Sequence, residues 1–369
     1  MNKKLLHTPE GVRDIYGKEY AKKLYIENKL HQVISSYGYE DVQTPTFEFF
    51  DVYSKDIGTT PSNELYKFFD KEGNTLVLRP DFTPSIARCA AKYFLEESVP
   101  IRFTYLGNTF INTSNLQGKL KEVTQIGAEL INDDSIQADA EMISMVIECL
   151  KNTGLENFQL SIGQVEFFKG LCAEAGLDTE TEEQLRDYIS GKNYFAAEKL
   201  LQSKEIPEPH YSNLLKVTDM FGDIESLKAC KDFVTNERSK NAISRLEAIY
   251  EVLKLYGVEE YVSFDLGMLS KYHYYTGIIF KAYTYGIGDA IVTGGRYNKL
   301  IQKFGKEAAA IGFAVVVDDM MEALNRQKVT LMIEDNKQTI YYNENNYQEQ
   351  LAKAIEARKN GCLVQLLPE

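Results

Sequence analysis

IRFTYLG (Ile101–Gly107) and EVTQIGAELI (Glu122–Ile131) are two apolar, extended stretches joined by the polar run Asn112–Lys119. Strand-like runs separated by a polar connector predict an antiparallel hairpin with a long tip. Upstream, TLVLR (Thr75–Arg79) alternates and is introduced by the turn-prone Glu72-Gly73-Asn74. Downstream, Phe158–Ile162 is a short strand, and strand signals return at Tyr261–Leu266, Gly277–Tyr283, Asp289–Thr293 and Ala309–Val317. The last is almost unbroken in its apolar character, as expected of a strand covered on both faces.

Helical spacing fills the intervals. Leu24, Ile26, Leu30, Val33 and Ile34 mark a helix over Tyr20–Tyr37 that Gly38 ends. Another follows Pro84 through Ile86, Ala87, Ala90, Ala91 and Phe94. A third spans 135–152, capped by Ser135, with Ala138, Met142, Met145, Val146 and Cys149 on one face. A last one runs from Asp318 to Arg326. Residues 165–256 are helical in pattern and read as an insertion into a body covering 1–326. The segment 327–369 offers two short strands (VTLMI and QTIYY), a helix over 346–358 and a closing strand (CLVQLL), a short α/β piece. Strands outnumber crossover helices, so the fold class is α+β, a mainly antiparallel sheet flanked by helices.

The 369 residues carry 41 Lys and Arg against 54 Asp and Glu, a net charge of −13. A chain this acidic repels a phosphate backbone, and no basic stripe offsets it, so nucleic-acid binding is not expected. The five cysteines are far apart, without the spacing of a zinc site or the even count of a disulfide framework. They read as reduced thiols, and no metal or cofactor is expected. The N-terminus lacks a signal-peptide apolar run, and no stretch reaches the roughly 18 apolar residues of a membrane span. A cytoplasmic protein is the expectation.

Three groups of residues offer chemistry. In LRPDFTP (Leu78–Pro84), Asp81 and Thr83 alternate with apolar neighbours at a strand end, where they either hold an ammonium group together or simply cap the helix at Pro84. Gln125 and Glu129 flank Gly127 and share its face of a strand, which suits either a small-molecule site approached by backbone or an ordinary wet face. Tyr274 and Tyr275 close the run FDLGMLSKYHYY and can line an amphipathic pocket, although 24 tyrosines make chance clustering a competitor. His273 has no partner at metal-ligand spacing. TGGRY (Thr293–Tyr297), between a strand and a helix, admits a ligand near its backbone but is no phosphate-binding loop.

The order of these motifs is more specific than any one of them. TPEGVRD (8–14), GYEDVQTPTFE (38–48), LRPDFT (78–83), GKLKEVTQIGAE (118–129), SKYHYYTGIIF (270–280), GGRYNKL (294–300) and AAIGFAVVVDDM (309–320) together resemble the histidyl-tRNA synthetase body. The resemblance implies a class II synthetase fold, usually dimeric. It also implies a histidine pocket at Asp81, Thr83, Gln125, Glu129, Tyr274 and Tyr275. The first three would bind the amino end, while Glu129 and the Tyr275 hydroxyl would bracket the imidazole. The family's catalytic arginines fall on Ile111, Ser270 and Asp319, with Thr113 in place of a companion glutamate. Cations at such positions offset developing phosphoryl charge and are commonly worth several kcal/mol each, so adenylation is not expected. The family's anticodon domain is a full module, whereas only 327–369 follows the body, so no tRNA is expected.

A synthetase-like chain with this pocket and no ATP clamp resembles the regulatory-subunit family of ATP phosphoribosyltransferase. That resemblance implies a non-catalytic member of a hetero-oligomer with a short-form catalytic subunit, and a self-dimer. It also implies free histidine as feedback effector of the first step of histidine biosynthesis. A divergent histidyl-tRNA synthetase and a stand-alone histidine sensor are the alternatives.

Overall fold

The computed structural model describes residues 6–54, 60–113, 119–270, 274–333 and 337–369. The chain forms two compact units, Met1–Val329 and Thr330–Glu369.

In the first unit α1 (Gly17–Ser36) leads to β1 (Glu40–Asp41), β2 (Phe47–Phe49), β3 (Lys67–Phe69), β4 (Thr75–Leu78) and α2 (Thr83–Tyr93). The hairpin follows as β5 (Ile101–Phe110) and β6 (Glu122–Ile131), then α3 (Ile136–Asn152) and β7 (Phe158–Gln164). The helical stretch comprises α4 (Val165–Glu174), α5 (Thr179–Ser190), α6 (Tyr194–Ser203), α7 (His210–Lys216), then the short strand β8 (Phe221–Gly222), α8 (Ile224–Ala229) and α9 (Glu237–Tyr256). The unit ends with β9 (Val262–Asp265), β10 (Ile278–Thr284), β11 (Val292–Arg296), α10 (Asn298–Lys303), β12 (Ala310–Val316) and α11 (Val317–Arg326).

Among the described residues one large sheet runs β1-β5-β6-β12-β11-β10-β7-β9-β8, and a small one runs β2-β4-β3. The large sheet is antiparallel except where β1 pairs with β5 and β7 with β9. The α+β class and the class II-like sheet flanked by helices are therefore as expected.

Local chemistry explains the elements. α1 buries Ile26, Leu30, Val33 and Ile34. It stops at Gly38, whose φ of +79° suits glycine and whose N–H reaches the Ser35 carbonyl at 3.0 Å. Ser135 caps α3, its hydroxyl accepting from the Ala138 N–H at 3.1 Å. The inserted stretch is divided into short helices because Asp178, Asn193, Asp223 and Asn236 each start a new one with a side-chain cap.

Three details differ from the sequence reading. The strand expected at Asp289–Thr293 lies instead at Val292–Arg296, so the Gly-Gly-Arg run is inside the sheet rather than in a turn after it. Pairing with β12 on one side and β10 on the other holds it there. Asp81 and Thr83 do not sit at a strand end: Thr83 opens α2, and the Asp81 carboxylate accepts from its N–H at 3.3 Å. VTLMI (329–333) forms no ladder. In the second unit β13 (Lys337–Tyr342) and β14 (Leu363–Pro368) pair with each other in parallel, connected through α12 (Tyr347–Lys359). Among the described residues no helix is long and apolar enough to cross a membrane.

Candidate functional site

Residues directly opposite on neighbouring strands share a face. Gly107 opposes Gln125, Tyr105 opposes Gly127, and Phe103 opposes Glu129. Across β12, Glu129 opposes Gly312, which in turn opposes Gly295. Gln125, Gly127, Glu129, Gly312 and Gly295 thus lie on one face, a floor from which side chains have been subtracted. The gap is needed. A Cβ on Gly312 would come within 1.6 Å of the Glu129 Oε2, and one on Gly127 within 2.4 Å of the Tyr105 hydroxyl.

The walls come from other elements. Phe82 stacks on Tyr105 with ring centres 4.3 Å apart, and Tyr274 lies 4.8 Å from Tyr275 and 6.5 Å from Tyr297. These rings belong to one buried cluster with Ile86, Phe103 and Leu300. Tyr275 also packs against Val165, Met268 and Ile279. Arg79 lies over Phe82, its guanidinium 3.9 Å from the ring centre, and donates to the Asn108 and Thr44 carbonyls at 2.8 and 3.0 Å.

The polar groups converge. Thr83 donates to Glu129 at 3.1 Å, and the Tyr274 hydroxyl donates to the Asp81 carboxylate at 3.2 Å. Tyr53 donates to the Asp81 carbonyl at 2.8 Å and fixes the turn that carries it. The Glu129 Oε2 and the Gln125 carbonyl oxygen are buried and unbonded. Burial pushes the Glu129 carboxyl up to about 8; the Tyr297 hydroxyl opposes this, Asp81 adds repulsion and Thr83 opposes again. Tyr297 faces the carboxyl without closing to hydrogen-bond geometry. Asp81 is also raised, chiefly by burial. Two carboxyl groups, a hydroxyl and an amide within aromatic walls suit a small, cationic or hydrogen-bonding ring compound.

All six sequence-derived pocket residues lie in this region, and Thr83, Glu129, Asp81 and Tyr274 are joined by hydrogen bonds. Tyr105 escaped the sequence reading, and Tyr297 entered it only as the end of TGGRY, with no role for its hydroxyl. The strand register that sets Tyr105 opposite Gly127 was the available signal for one of them. The reading of His273 lies outside the described residues, as does the hairpin tip 114–118.

The four positions where the resemblance implies arginines and a companion glutamate carry no cation of their own. Ile111 is half-buried and donates its N–H to the Lys121 carbonyl at 2.9 Å. The Thr113 hydroxyl is buried and unbonded, and Ser270 is buried. Burial pushes the Asp319 carboxyl up to about 6, with Asp318 and Asp289 adding repulsion that Lys119 partly offsets.

A family model described as histidyl-tRNA synthetase matches residues 11–320. The ATP phosphoribosyltransferase regulatory subunit of Acetivibrio thermocellus is 40% identical over 98% of this chain and 86% of its own. That of Clostridium kluyveri is 38% identical over 98% of this chain and 93% of its own. The chain belongs to the ATP phosphoribosyltransferase regulatory subunit family. A solved structure described as an ATP phosphoribosyltransferase regulatory subunit/histidyl-tRNA synthetase from Bacillus halodurans superposes with a TM-score of 0.89, at 32% identity, covering 99% of this chain and 93% of that one. Histidyl-tRNA synthetase from Nostoc shares the fold, with a TM-score of 0.80 at 18% identity. Within this family the relatives are named as regulatory subunits, a non-catalytic role.

Proposed function

We propose that the chain is the regulatory subunit of ATP phosphoribosyltransferase in the cytoplasm. In this reading it pairs with a short-form catalytic subunit, binds free histidine between Asp81, Thr83, Gln125, Glu129, Tyr274 and Tyr275, and carries feedback to the first step of histidine biosynthesis. One observation supports the reading: the carboxyl groups of Asp81 and Glu129 are held among hydroxyls and aromatic rings, while Ile111, Ser270 and Asp319 offer an alkyl chain, a hydroxyl and an acid where the resemblance implies arginines. In this reading Glu129 meets the imidazole, and Asp81, hydrogen-bonded to Tyr274, meets the ammonium group. A self-dimer through the body also belongs to this reading. It is supported by the aromatic face of the small sheet, where Phe47, Phe49 and Phe68 share one side and are 53, 55 and 37% exposed. The acidic surface argues against tRNA as a ligand.

The test uses the complex with the short catalytic chain. Histidine is expected to inhibit that complex, and Glu129→Ala to weaken both calorimetric binding and inhibition by at least about tenfold, the effect of one charged hydrogen bond. Tyr275→Phe should weaken them less. Failure of the two chains to co-purify, or inhibition indifferent to Glu129, would refute the reading. The companion expectation is silence in histidine-dependent exchange of pyrophosphate into ATP, because no guanidinium stands at the three positions. Robust exchange would instead favour a synthetase.

A further inference from the structure

Glu129 is 1% exposed, and one of its oxygens has no hydrogen-bond partner. Among the described residues, the titratable and polar groups that act on it come from several elements. Asp81 and Thr83 face it from the entry to α2, Tyr105 from β5, Tyr297 from the end of β11, and Tyr39 from the turn after α1. All are neutral or acidic. Among the described residues, no guanidinium or ammonium is among the groups that act on the carboxyl of Glu129 or of Asp81. Arg79, closest along the chain to Asp81, is held by backbone carbonyls behind Phe82. An uncompensated buried carboxylate is so costly that such a group neutralises instead.

We propose that Glu129 meets its ligand as the carboxylic acid and hands that proton to the incoming imidazole, so that neutral histidine is taken up and held as imidazolium. This inference rests on the histidine reading above. The O–H bond of the carboxyl breaks and its electron pair stays on the oxygen. The lone pair of the basic imidazole nitrogen forms the new N–H bond. No proton enters from solvent or leaves to it. Affinity is therefore flat between the ordinary imidazole pKa of about 6.5 and the higher value of the buried acid, and falls about tenfold per pH unit outside those limits.

Calorimetry of the whole protein with histidine at pH 7, in two buffers of different ionisation heat, should give the same binding enthalpy. Uptake of most of one proton would overturn the proposal, because it means that Glu129 was already a carboxylate. Infrared spectra of the unliganded protein at pH 7 should show a protonated carboxyl band that is missing in Glu129→Gln and lost when histidine is added. No such band, or a band that survives histidine, would overturn it equally. Glu129→Gln should also abolish the alkaline fall in affinity. If histidine fails to bind at any pH while the band is present, the histidine reading falls and the transfer with it. Binding accompanied by proton uptake removes the transfer alone.

Discussion

Asp139→Ala is expected to destabilise the first unit by about 3–5 kcal/mol, the cost of removing one partner from a buried ion pair. Asp139 is fully buried on α3. One carboxylate oxygen accepts from the Arg296 Nε at 2.6 Å and the other from the Arg245 Nε at 2.8 Å. Burial raises its pKa against the pull of both guanidiniums. Arg296 is 2% exposed and donates further to the Asp133 and Ser135 carbonyls at 2.9 and 3.2 Å. Deleting the carboxylate removes the buried counter-charge of that guanidinium and leaves it only the largely exposed Asp134, 3.2 Å from its Nη1, while Arg245 can still turn toward solvent. Urea denaturation checks the figure, and a loss below about 1 kcal/mol would show that the network contributes little. Asp139→Asn, which keeps an acceptor and the shape, should lose less.

The second large effect separates binding from folding. Gly312→Ala should abolish histidine binding, by about 100-fold or more, equivalent to about 2.7 kcal/mol. Its new methyl group falls 1.6 Å from the Glu129 Oε2 and 2.8 Å from the Ala128 carbonyl. The carboxyl must leave its place opposite β12, and the Thr83 hydrogen bond goes with it. Overpacking of this kind typically costs a core about 1–3 kcal/mol, so the fold survives a change that empties the pocket. Calorimetry read together with a double-mutant cycle decides the case. In a Glu129→Ala background the added methyl no longer meets a carboxyl group and presses only on the Ala128 carbonyl, so its effect on binding should shrink severalfold. A Gly312→Ala protein with unchanged affinity would show that Glu129 is not the contact.

The hairpin β5–β6, α1 with its Gly38 end and α3 with its Ser135 cap were legible because each is written in local periodicity and a capping residue. The common face of Gln125, Gly127 and Glu129 was legible for the same reason, since alternate residues of a strand point one way. Partners chosen across long sequence separations were not legible. Arg296 and Asp139 are 157 residues apart, and Arg245 and Asp139 are 106 apart. No composition or spacing marks Tyr297 as the hydroxyl that faces Glu129. VTLMI carried a strand-like pattern but failed for want of a neighbour to pair with, because propensity describes a surface that fits a sheet and does not supply the sheet. The Gly-Gly-Arg run was misplaced because glycines suggest turns, whereas here they leave room above a strand.

β11 has two consecutive residues with opposite duties. Gly295 belongs to the pocket floor, and Arg296 reaches through to the other side, where α3 and α9 lie. The strand acts as an axle through a wall. It cannot slide or roll beneath an occupant of the cavity without either snapping the Arg296–Asp139 link or dragging α3, and with it the Arg245 grip of the inserted helices.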